Sequence, residues 1–300
     1  MSITLTTLAG LVGTLIAATG DAVEPAPAKV KASKTSRVAI NGVDYYYEIY
    51  GKGEPLLLLH GGLMSLDMFS PVLPAFIKHR QVIAVDLEGH ARTPLGDRPY
   101  KFETQGDDMA ELVKQLGHEK VDVVGYSLGG SVALRMAIQK PERVRRVVLV
   151  SVPYADDGFY AEIKAQQVHV NAAAAPMMKE TPMYQLYTAL APKPEEFPKL
   201  LDTLGNYMKQ KFDWSAEVKA LKLPVMLVYG DSDMLRPEHQ IKFYQLLGGG
   251  LQDGGWQREN MSHNRLAILP GVTHYDSFDS PELVPTVALP FLNEKTEAKS

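Results

Sequence analysis

Two hydrophobic patterns alternate along the chain. The first is a short unbroken apolar run. Residues 55–59 read Pro-Leu-Leu-Leu-Leu, and similar runs recur at 81–85, 121–124, 147–150, 225–229 and 265–269. A strand that is apolar at every position is buried on both faces, as in a parallel sheet covered by helices. The second pattern has helical spacing. In 104–116 the apolar residues are Met109, Leu112, Val113 and Leu116, and 128–139 is a helical stretch followed by Pro141, a stop signal. Strands alternating with helices predict a mostly parallel sheet with helices on both faces. Ahead of them, 37–40 and 43–50 are β-prone runs flanking Asn41-Gly42, the strongest short-range hairpin signal. The hairpin adds antiparallel strands at one edge, which makes eight. The alternation breaks at 154–222, a proline-bearing, mostly helical insertion after the sixth strand, in which Met183, Leu186, Tyr187 and Leu190 share one helical face.

The expected organisation is therefore an apolar N-terminal segment and linker over 1–36, a core from 37–153 and 223–293, a helical cap over 154–222, and a polar tail over 294–300. The 300 residues, 45% of them hydrophobic, are ample for one large core. The 31 basic and 35 acidic residues give a net charge of −4, which argues against a nucleic-acid partner. The absence of cysteine excludes disulfides, thiolate catalysis and Cys-ligated metals. The run from Leu8 to Ala18 is shorter than the roughly 20 residues of a spanning helix. It fits the apolar core of a secretory signal, with Gly20-Asp21-Ala22 or Ala26-Pro27-Ala28 as a small-residue cleavage site, although no Lys or Arg precedes it. The other reading is a plain N-terminal extension. The first places the mature protein outside the cytoplasm, in the periplasm or secreted; the second leaves it cytoplasmic. Neither leaves an integral membrane span in the mature protein, and oligomeric state is not legible.

The sharpest chemical signal is Gly125-Tyr126-Ser127-Leu128-Gly129-Gly130, which follows one predicted strand and opens the next helix. G-x-S-x-G in a strand-turn-helix setting projects a serine from the sheet end on a very tight turn. Glycines suit the flanking positions because they carry no side chain to clash. The helix N-terminus behind Ser127 offers free N–H groups to a developing oxyanion. A serine hydroxyl needs a base, and the base is expected last in the chain. His274 sits just past the last predicted strand, at the same sheet edge as Ser127. The orienting acid should lie between them, where Gly230-Asp231-Ser232-Asp233 follows the buried strand 225–229. Asp233 is preferred, with Asp231 as the competitor that could instead brace the turn. The oxyanion donors are expected to be the N–H of Leu128 and, from the loop His60-Gly61-Gly62-Leu63, that of Gly62. His60 and His90 read as imidazoles bonded to backbone. Met183 and Tyr187 are the expected lining of a substrate pocket beneath the cap, with neutral, small-to-medium hydrophobic substrates favoured.

These pieces together resemble the α/β-hydrolase superfamily, in particular its small esterase, haloperoxidase and proline-iminopeptidase-like branch. The matching stretches are His60-Gly61-Gly62, 86–93, 125–130, 230–233 with Pro237, and 271–274, so the resemblance runs from about Val38 to Leu292. It implies the α/β-hydrolase fold and places the acid three residues after the glycine that ends the seventh strand, which is Asp233. The family usually has Gly at Ala91, often Arg at Glu88 and often Ser at Thr93. The resulting expectation is hydrolysis of a small-molecule ester or lactone through an acyl-enzyme on Ser127, without metal or cofactor. The scattered histidines lack H-E-x-x-H spacing, and a nucleophilic aspartate is excluded because residue 127 is Ser. Other Ser-triad chemistries (perhydrolysis, carbon–carbon cleavage, aminopeptidase action) and a non-catalytic binding protein remain the alternatives. The glycine-rich stretch 248–256 follows a helix and precedes a strand, so it reads as a surface loop opposite the site.

Overall fold

The computed structural model describes residues 30–294. The apolar segment, its candidate cleavage sites and residues 295–300 lie outside the described residues. One eight-stranded sheet organises the chain: β1 (Lys34–Ile40), β2 (Val43–Gly51), β3 (Glu54–Leu59), β4 (Arg80–Val85), β5 (Val121–Tyr126), β6 (Val144–Val150), β7 (Val225–Ser232) and β8 (Arg265–Thr273). The spatial order is β1-β2-β4-β3-β5-β6-β7-β8. The hairpin pairs antiparallel to β4, and the remaining strands run parallel. This is the mostly parallel sheet expected from the apolar runs, and the α/β-hydrolase fold that the resemblance implies. β1 starts at Lys34, three residues before the composition break at Arg37, because 34–36 pair through main chain with 47–49 and need no apolar side chains.

The helices are α1 (Leu73–Phe76), α2 (Phe102–Gln115), α3 (Ser127–Gln139), α4 (Ala161–Gln167), α5 (Pro182–Leu190), α6 (Phe197–Met208), α7 (Ser215–Ala220), α8 (Pro237–Leu246) and α9 (Leu283–Leu292). Successive side chains of a strand point to opposite faces. Leu57 and Leu59 therefore join Met109, Leu112 and Val132 on the α2, α3 and α8 side. Leu56 and Leu58 join Phe76, Val284 and Phe291 on the α1 and α9 side. All four leucines are fully buried, which is why β3 carries no polar position after Pro55. No helix among the described residues is long and apolar enough to cross a membrane.

The C-terminal ends of the parallel strands share one edge, and their register decides what meets there. Leu59 pairs with Gly125, so the loop after β3 lies against the turn after β5. Ser232 pairs with Thr273 beyond an irregularity in the β7–β8 ladder, so Asp233 and His274 leave their strands side by side. Helices α4 to α7 occupy the chain between β6 and β7. The stretch before α4 is bridged to the turn before α7 by Ala155 and Asp213, and fastened to the loop after β7 by a bridge from Phe159 to Leu235 and by Arg236 N–H donating to Gly158 O at 2.9 Å.

Candidate active site

Ser127 stands where β5 turns into α3, with φ at +51°. That left-handed conformation is unusual for a residue with a side chain and projects it from the turn. The crowding around it explains the glycines. A Cβ on Gly125 would lie 2.6 Å from Gly129 O, and one on Gly129 would lie 2.4 Å from His60 O. Ser127 Oγ lies 2.9 Å from His274 Nε2, and His274 Nδ1 lies 3.0 Å from Asp233 Oδ1. Both His274 and Asp233 are buried. Burial alone would raise the Asp233 carboxyl. The His274 hydrogen bond and charge, the Ser151 hydroxyl and the Leu235 N–H outweigh it and hold the carboxyl below its ordinary value.

Asp231 lies elsewhere. It is exposed, and its Oδ2 accepts from Gly271 N–H at 3.0 Å, so it braces β8 rather than facing His274. Gly62 sits against Leu128: a Cβ on Gly62 would be 3.5 Å from Leu128 Cδ1. Leu128 is the second residue of α3, so its N–H is among those with no carbonyl partner inside the helix. Tyr187 is buried with its ring 5.1 Å from Phe197, and Met183 is half-buried on the same helix. Among the described residues, no hydrogen bond or ring contact joins either to Ser127, His274 or Asp233. A cavity of about 240 Å³ in this segment is lined by Tyr184, Phe197, Lys179, Glu195 and neighbouring alanines and prolines, and by neither Met183 nor Tyr187.

Several further residues, of which the sequence singled out only the two histidines, hold the site together. Tyr126 donates its hydroxyl to His274 O, and its ring fills the space a Gly61 side chain would need. Ser151, just past β6, donates to Asp233 Oδ2 at 2.5 Å. The loop after β3 that carries Gly62 is anchored from behind. His60 Nδ1–H donates to Gly61 O at 2.7 Å, while Nε2 accepts from Leu87 N–H at 2.9 Å. Asp86 accepts from Leu66 N–H at 2.8 Å and pairs with Arg92 at 2.9 Å, and Arg92 also pairs with Asp67 at 2.5 Å. Burial pushes His60 down to about 4 and His90 to about 3, so both are neutral struts near neutrality.

The positions that depart from the family pattern have local explanations. Ala91 takes φ +44°, where glycine is easier. Thr93 keeps a hydroxyl that donates to Asp86 O at 2.7 Å and accepts from Tyr46 N–H at 2.9 Å. Glu88 is buried and matched by Arg98 at 2.5 Å, which also pairs with Asp108.

Comparison with known proteins agrees with this architecture. A family described as alpha/beta hydrolase fold matches residues 54–252. The pimeloyl-[acyl-carrier protein] methyl ester esterase of Nitrosospira multiformis is 26% identical over 270 residues, covering 80% of this chain and 95% of that protein. A soluble epoxide hydrolase of Corynebacterium is 36% identical over 113 residues, covering 38% of this chain and 40% of that one. Among solved structures, the enol-lactonase from Burkholderia xenovorans superposes with a TM-score of 0.66 at 18% identity, over 86% of this chain and all of that one.

Proposed function

This chain belongs to the α/β-hydrolase fold family, and from that premise we propose that it is a serine hydrolase acting on carboxylic esters or lactones. The observation that carries the proposal is the unbroken line from Asp233 Oδ1 to His274 Nδ1 at 3.0 Å and from His274 Nε2 to Ser127 Oγ at 2.9 Å. In this mechanism His274 Nε2 takes the Ser127 proton as Oγ attacks the ester carbonyl carbon. The carbonyl oxygen becomes an oxyanion between the N–H groups of Gly62 and Leu128. Collapse expels the alcohol, which takes the proton back from His274 and leaves an acyl group on Ser127. Water attacks the acyl carbon with His274 again as base, and the acid leaves with Ser127 restored. Asp233 keeps the imidazole in the tautomer with Nε2 free and stabilises its charged form.

The esterase relative and the lactonase-like fold are consistent with an acyl substrate, and a serine at 127 fits acyl transfer. Preference for neutral, small-to-medium hydrophobic substrates is supported by the apolar cluster that holds Leu128. The same cluster includes Tyr187, Phe197 and Leu200 of the 154–222 segment, and Leu63 packs against it. Each extra methylene that the pocket buries should contribute at most about 0.8 kcal/mol. The test is kcat/KM over p-nitrophenyl esters of increasing acyl length, neutral lactones, amides and charged esters, for wild type, Met183→Ala and Tyr187→Ala. A neutral-ester optimum that moves in the variants supports the assignment. Equal turnover of charged substrates, with an unmoved optimum, counts against a pocket beneath α5.

A further inference from the structure

Ser151 has two properties that belong together. It is fully buried, and its φ is +57°, one of six non-glycine left-handed residues among those described. Asn41 and Arg258 have hairpin-turn and loop settings; Leu63, Ala91, Ser127 and Ser151 all follow strands at the sheet's C-terminal edge. Its main chain is still in register, since Ser151 N–H donates to Val228 O at 2.8 Å. Glycine would take this conformation without the steric cost. The side chain is therefore what the position uses, and strain held at a buried site points to function.

That side chain makes one bond, donating Oγ–H to Asp233 Oδ2 at 2.5 Å. The other carboxylate oxygen, Oδ1, receives His274 Nδ1 at 3.0 Å and Leu235 N–H at 3.2 Å. The Asp233 side chain is wholly shielded from solvent, so without Ser151 its Oδ2 would face no donor that water could replace. A carboxylate held at both oxygens cannot turn about its Cβ–Cγ bond.

We propose that Ser151 is a positioning residue: its hydroxyl locks Asp233 so that Oδ1 stays on His274 Nδ1 while the imidazole gains and loses a proton. This rests on the reading of Ser127, His274 and Asp233 as the reacting set. Without the hydroxyl, the carboxylate samples rotamers that misdirect His274, so the chemical step slows while binding is untouched.

The test uses Ser151→Ala and Ser151→Gly, with a fluorophosphonate probe whose labelling of Ser127 is read by mass spectrometry over a range of probe concentrations. Both variants should show a maximal labelling rate about tenfold to a hundredfold lower, with the half-saturating concentration within about twofold of wild type. Ser151→Gly relieves the left-handed strain, so its urea midpoint should be at least that of Ser151→Ala. A purely structural role predicts the reverse: Ser151→Gly would label at the wild-type rate, and that result overturns the proposal while leaving the Ser127 assignment standing. Wild-type protein that is not labelled at Ser127 overturns both.

Discussion

Replacing Asp233 by asparagine removes one charge and almost no volume, and the surroundings can accept the change. The amide oxygen can keep the His274 Nδ1 and Leu235 N–H bonds now made to Oδ1, while the amide nitrogen donates to Ser151 Oγ, whose hydroxyl can turn from donor to acceptor. The fold should survive, and the loss should fall on the step that makes His274 cationic. At the observed 3.0 Å and an effective dielectric of about 20, a full pair of charges attracts by about 5.5 kcal/mol. At 1.36 kcal/mol per factor of ten, that predicts a fall in kcat of about ten-thousandfold. Asp231→Asn should lower kcat less than about threefold, because an amide oxygen can still accept from Gly271 N–H and the site loses no buried charge. The assay is stopped-flow release of p-nitrophenol by wild type and both variants, alongside urea unfolding curves. Similar losses in the two variants, or a larger loss in Asp231→Asn, would show that Asp233 is not the residue that stabilises charged His274.

Two further predictions concern stability. Arg98→Leu strands the buried carboxylates Glu88 and Asp108 together; it should cost about 3–5 kcal/mol in urea unfolding, and adding Glu88→Gln should recover part of that. His60, His90 and His239 are buried, with burial lowering them to about 4, 3 and 4. Between pH 6.5 and 5 the unfolded chain therefore binds more protons than the folded one, and stability should fall with pH by up to about 1.4 kcal/mol per unit for each histidine. Urea midpoints that stay level from pH 7 to pH 5 would show that these imidazoles protonate without unfolding the chain.

The parallel core was legible because strands covered on both faces have nothing but apolar residues to offer, and Leu56 to Leu59 are buried without exception. The helical face of α5 was legible for the complementary reason of period, although only Tyr187 of its four residues is buried. Other features depend on partners distant in sequence. Asp231 and Asp233 both follow the same glycine, and only the pairing of Ser232 with Thr273 sends one toward Gly271 and the other toward His274. Ser151 is one serine among many until β6 lies beside β7 and its φ turns positive. Tyr126 occupies the variable position of G-x-S-x-G, so the motif is silent about its bond to His274 O. The anchoring of the Gly62 loop by Asp86 and Arg92 spans the loops after β3 and β4, which no local pattern connects.

A covalent acyl intermediate on Ser127 is detected most directly by its mass. Wild-type protein mixed with p-nitrophenyl butyrate, quenched in acid within milliseconds and digested, should yield the Ser127 peptide heavier by one butyryl group. Ser127→Ala should show neither the adduct nor p-nitrophenol release above background, with an unchanged melting curve. Turnover in wild type with no acyl group on Ser127, or wild-type turnover by folded Ser127→Ala, would contradict the account.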